Sequence, residues 1–273
     1  LPAYYDFVQS NAGTIAYSPG FGFITKPARA GEIDVPYYVT AHEVAHQWWG
    51  HQIVTNNSQG DLLLSETLAQ YSALLVMERK YGKDLARRFL KAELDLYLRG
   101  RGSDERGELP LIRVEDQSYI YYRKGAVVMY ALRDYLGEDI VNSALRKLVD
   151  SYAYRTTPYP TSRSLMEILK AEAGPQYDAF IADLFERITL YDFRVRTASA
   201  EELPEGRFRT TIDISAAKYY ADATGQEVDA RLHIPVDIGL FLRSPADSRF
   251  TADDVVWLDK QGILDGDSTV EVI

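Results

Sequence analysis

Apolar residues recur at helical spacing from about residue 36 to 190 and alternate with polar ones beyond it. Helices are predicted over 37–52, 62–81, 84–99, 118–136, 138–152, 162–172 and 175–188, with Gly82, Gly100, Gly137 and Gly174-Pro175 as stops. In the fourth, Gly125, Val128, Leu132 and Tyr135 form one stripe. Residues 1–35 read as short extended segments, because Gly13, Pro19-Gly20, Gly22, Pro27 and Gly31 leave no room for a long helix. RGRGSDERGELP (99–110) reads as a polar loop closed by Pro110. Beyond 190, FRTTIDISAAKYY and VDARLHIPVDIGLFL alternate apolar and polar residues between turn clusters, as half-buried strands do. The expected fold class is α+β: a mostly helical domain over 1–190, then a small β-sandwich over 191–273.

Composition narrows the function more than the fold. The 273 residues are 46% hydrophobic and 26% charged, as in a globular chain with a sizeable core. A net charge of −10 without basic tracts argues against nucleic acid as a partner. No apolar run approaches the roughly 20 residues of a membrane span. Cysteine is absent, which removes disulfides and thiolate ligands and leaves histidine and carboxylate as the strong metal ligands. Because the chain begins at Leu1, it reads as a piece of a longer protein, and its localisation stays open.

Three of the four histidines fall in AHEVAHQWWGHQ, residues 41–52. His42 and His46 are four apart, so on a helix both imidazoles can reach one ion. Glu43, turned about 100° from His42, stands beside such an ion and suits a base for an activated water. An aromatic-rich core helix is the alternative, yet two imidazoles and a carboxylate make a poor apolar face. A third ligand is needed, and the candidate is Glu66 in LLLSETLAQYSALL, although a helix dipole would also favour a carboxylate there.

HEVAHQWWG followed by LSETLAQY resembles the gluzincin zinc peptidases of the aminopeptidase N and leukotriene hydrolase family. The resemblance implies a thermolysin-like catalytic domain, one Zn2+ per chain on His42, His46 and Glu66, Glu43 as general base, and a peptide substrate. SYIYYRKGAVVMYAL resembles the family's Y-x-K-G segment, which implies Tyr122 as oxyanion stabiliser; Tyr119 and Tyr121 read as core residues or substitutes, and Lys124 as framework. Two departures stand out. Nineteen residues separate His46 from Glu66, against the family's usual eighteen, and the loop VTNNSQGD is the expected site of the extra one. At the amine-recognition glutamate of the family's G-x-M-E-N strand, AYSPGFGFIT carries Pro19, with Glu32 and Asp34 the nearest acids.

The expected activity is that of a zinc aminopeptidase. An endopeptidase or other zinc hydrolase lacking the amine-recognition glutamate is the alternative within enzymes. A catalytically inactive module of a membrane-transporter protein is the alternative from another class, and with it a membrane-associated or extracytoplasmic bacterial parent. Gln70, one turn past Glu66, is placed to orient a ligand. His51 lies about 140° off the ligand face and reads as framework. Trp48 and Trp49 are expected to pack behind the metal helix, and His233 to be structural or exposed.

Overall fold

The computed structural model describes residues 8–26, 28–29, 32–245, 247 and 249–273, with side chains left undescribed at 260–264. The turn formers Pro27 and Gly31 lie outside the described residues. Helix and sheet are both present, in two compact units, Leu1–Ile188 and Thr189–Ile273.

The first unit opens with a hairpin of β1 (Val8–Asn11) and β2 (Thr14–Tyr17), turned at Gly13 with φ 73°. The extended reading then fails, because Gly20–Ile24 forms a π-helical turn entered from Pro19. Helix α1 (Val35–Ala45) starts at Asp34, whose carboxylate accepts the Tyr37 N–H at 3.1 Å, with Pro36 in its first turn. It stops seven residues before the expected end at 52, because Gly50 adopts φ 121° and a tight loop follows. Helix α2 (Leu68–Tyr81) is entered through a π turn, Leu63–Thr67, and ends at Gly82 with φ 86°.

Helix α3 (Lys83–Ser103) runs past the predicted stop at Gly100. That glycine is a contact point rather than a terminator, since a Cβ there would meet Tyr119 Cβ at 2.4 Å. A third π turn, Tyr119–Lys124, opens α4 (Gly125–Leu136). Helices α5 (Glu138–Tyr152), α6 (Ser162–Ala173) and α7 (Asp178–Phe185) follow, and Thr161 with Ser164 caps α6 reciprocally. Leu63, Leu64, Leu68, Ile120, Met129 and Leu132 meet in the main core, which seats the π turns Leu63–Thr67 and Tyr119–Lys124 against buried apolar side chains. Each such burial contributes about 1.5–3 kcal/mol. A smaller cluster of Tyr38, Leu74, Met77 and Phe89 lies between α1, α2 and α3.

In the second unit, β4 (Phe208–Ala221) is central: β3 (Ile188–Glu202) pairs with it, as do β5 (Glu227–Ala230) and β8 (Ser268–Val272). Strands β6 (Ile234–Phe241) and β7 (Val255–Leu264) form a separate antiparallel pair. Ile212, Ile214 and Ala216 bury alternate positions of β4, the period-2 signature of a one-sided sheet. No helix among the described residues is long and apolar enough to cross a membrane.

Candidate metal centre

Three donor atoms converge where α1 ends and the Glu66 turn begins. His42 Nε2 lies 3.1 Å from His46 Nε2 and 3.2 Å from Glu66 Oε2, and His46 Nε2 lies 3.4 Å from that same oxygen. Donors at about 2.0–2.1 Å from a tetrahedral zinc stand roughly 3.3–3.4 Å from one another, so this triangle is close to one face of that tetrahedron. The three atoms form a near-equilateral triangle, and two imidazole nitrogens with one carboxylate oxygen are an established catalytic zinc donor set. The donor set therefore fits zinc. Among the described residues it is the only group of three or more histidine or acidic side chains so gathered.

Of the two imidazoles, His46 is oriented from outside the centre, whereas His42 Nδ1 is buried without a hydrogen-bond partner. His46 Nδ1 donates to the Trp49 carbonyl at 2.9 Å, which leaves the Nε2 lone pair facing the centre. Trp49 is buried and its indole N–H donates to Ser72 Oγ at 3.0 Å on α2, so the loop after α1 orients the ligand it follows. The predicted helix over 37–52 runs through that loop, so the sequence did not signal that a backbone carbonyl there orients His46. Burial pushes the Glu66 carboxyl up, yet its bonds to His42 and His46 outweigh this and hold it well below the usual carboxylate range. Burial works downward on His46, and the bond to Glu66 and its charge raise it above 6.5.

Glu43 is buried beside the ligand pair on α1. Tyr122 sits on the π turn before α4, its ring edge-on to His42 with centroids 5.7 Å apart. Burial, then the charge and hydrogen bond of Glu66, push its phenol well up, so it remains a donor. Tyr121 packs against it at 4.5 Å between ring centroids.

Other expectations resolve differently. Gln70 bonds Glu93 on α3, not a metal ligand. Glu93 is 2% exposed and accepts Arg123 Nη1 at 2.7 Å; burial raises its pKa, while Arg123 and then Gln70 oppose the rise. Sequence reasoning missed this pair, since Arg123 fills the unspecified position of the Y-x-K-G segment and Glu93 belongs to no motif. Lys124 is buried on Glu108 at 2.6 Å, in the framework. Trp48 is 45% exposed and does not join Trp49 in the core. His51 is not among the converging donors, and His233 is exposed on Asp265 at 2.6 Å. Asp34 caps the far end of α1 and accepts the Tyr81 hydroxyl at 2.6 Å, about 12 Å along the helix from His42. Glu32 accepts the Arg29 N–H at 2.9 Å.

A mostly helical unit presenting two histidines and a glutamate in this way is of the zinc metallopeptidase class. The chain belongs to peptidase family M1, whose domain matches residues 11–184. It is 26% identical over 162 residues to human endoplasmic reticulum aminopeptidase 2, covering 57% of this chain and 17% of that protein. With aminopeptidase N of Lactococcus lactis subsp. lactis it shares 24% over 202 residues, covering 68% of this chain and 23% of the relative. The chain thus spans less than a quarter of the length of these two curated relatives. An M1 zinc metallopeptidase structure from Deinococcus radiodurans superposes with a TM-score of 0.49 at 23% identity, covering 66% of this chain and 36% of that one.

Proposed function

We propose that this chain is the catalytic part of a zinc-dependent peptidase of the aminopeptidase N type, a thermolysin-like domain followed by a small β-sandwich. The observation that carries the reading is the convergence of His42, His46 and Glu66, which would hold one zinc ion. Bound there, zinc supplies Lewis acidity to the scissile carbonyl and to the attacking water. Glu43 takes the proton of that water and delivers it to the leaving amine, so one carboxylate serves as base and then as acid. Tyr122 donates its hydroxyl proton in a hydrogen bond to the carbonyl oxygen as charge develops there. Burial, the largest cause of its raised pKa, favours keeping that donor protonated.

Glu43→Gln tests the mechanism: the variant should bind zinc as the native chain does and lose at least about 100-fold in peptide hydrolysis. Retained turnover in that variant would sink it. A second reading, peptide hydrolysis without recognition of a free N-terminus, is favoured by Pro19 at the amine-recognition position and by the engagement of Asp34 and Glu32 elsewhere. Matched peptides with free and acetylated N-termini separate the two, since an aminopeptidase cuts only the free ones.

A further inference from the structure

The turn that carries Glu66 and the turn that carries Tyr122 are joined through one side chain, Thr67. Both turns are π-helical, and a π turn changes hydrogen-bond register by one residue. In α register the Gly125 N–H would bond the Tyr121 carbonyl, but here it reaches Ile120 and Tyr122 instead. The released Tyr121 carbonyl accepts the Thr67 hydroxyl at 2.6 Å. Thr67 is 0% exposed, so water does not compete for that carbonyl. Gly125 approaches so closely that a Cβ on it would meet both Thr67 Cγ2 and Oγ1 at 2.6 Å. The hydroxyl of the residue after Glu66 therefore grips the peptide group that leads into Tyr122.

We propose that Thr67 is a positioning residue, whose bond to the Tyr121 carbonyl holds the Glu66 ligand turn and the Tyr122 turn in register across the site. This rests on the peptidase reading above. A buried group that orients a ligand or a catalytic donor typically changes metal affinity or activity by about 10- to 100-fold when removed. Thr67→Val keeps the branched shape and removes the donor, whereas Thr67→Ser keeps the donor.

The expected result for Thr67→Val is a fall of about tenfold or more in kcat per bound zinc, with KM within about twofold. Thr67→Ser should restore kcat. A threonine that only filled space would lower the melting temperature and leave kcat per bound zinc unchanged, and that result overturns the proposal. Should Thr67→Val fail to fold, Thr67→Ala against Thr67→Ser carries the same test, because the two differ only in the hydroxyl, and equal kcat per bound zinc in both overturns the proposal.

Zinc affinity by chelator competition and the visible spectrum of the Co2+-substituted chain read the ligand side without turnover. If the native chain binds metal but cleaves no peptide, the peptidase reading fails by itself. The Thr67 proposal then stands if Thr67→Val alters that spectrum or weakens affinity and Thr67→Ser restores it. It falls if all three chains agree.

Discussion

Replacing Glu108 by leucine should be among the most damaging single changes near the Tyr122 turn. Glu108 Oε1 accepts Lys124 Nζ at 2.6 Å and Tyr97 Oη at 2.8 Å, while Oε2 accepts Arg101 Nε at 2.8 Å. Lys124 is 6% exposed and Glu108 4%, so loss of the carboxylate strands an ammonium group away from water. Breaking a buried pair from one side costs about 3–5 kcal/mol. For a unit of this size that lowers the melting temperature by roughly 6–20 °C, at about 2–4 °C per kcal/mol.

The pH dependence gives a second handle on the same change. Burial already holds Lys124 below its ordinary pKa although Glu108 opposes it. Without Glu108 it falls further, so the native chain sheds a proton that the unfolded chain keeps up to about pH 10.4. The unfolded state then binds more protons across that window, and stability rises with pH. Urea unfolding of the zinc-loaded chain should show the deficit near pH 7 and a smaller one near pH 10. Glu108→Leu with Lys124→Met should recover the part of the loss due to Lys124, because it removes that stranded charge while Arg101, 21% exposed, keeps access to water. A deficit below about 1 kcal/mol, or one flat with pH, would refute the picture of Lys124 as a desolvated charge.

Two further outcomes follow from the site. Zinc and protons compete for His46, whose pKa in the metal-free chain is raised above 6.5 by Glu66 against the opposing effect of burial. Apparent zinc affinity should therefore climb with pH through that raised pKa and level off above it, as chelator titrations from pH 5.5 to 8.5 would show; a flat profile contradicts it. Gly60 has φ 86°, and a Cβ there would meet the Ile112 carbonyl oxygen at 2.1 Å, just ahead of the Glu66 turn. Gly60→Ala should cost about 1–3 kcal/mol in denaturant unfolding, and a neutral result would show that the turn relaxes freely.

The pairing of His42 with His46 was legible because it needs only one turn of helix, and helical period is written in local apolar spacing. The helical run and the change to alternation near 190 were legible for the same reason. Glu66 was legible only as a candidate, since nothing local states that the start of α2 lies against the end of α1. Helix ends were less so: Gly100 looks like a stop in sequence, but it is the place where Tyr119 packs on α3.

Tertiary structure alone decided how the donors and their neighbours are held. The Trp49 carbonyl that orients His46, the Arg123–Glu93 pair and the burial of Lys124 on Glu108 are contacts whose partners no motif names. The π turns at Leu63–Thr67 and Tyr119–Lys124 are shifts of one residue in hydrogen-bond register, which apolar spacing is too coarse to record. Chemistry could be read from side chains four apart, whereas its positioning depends on which backbone carbonyl is left over when two turns meet.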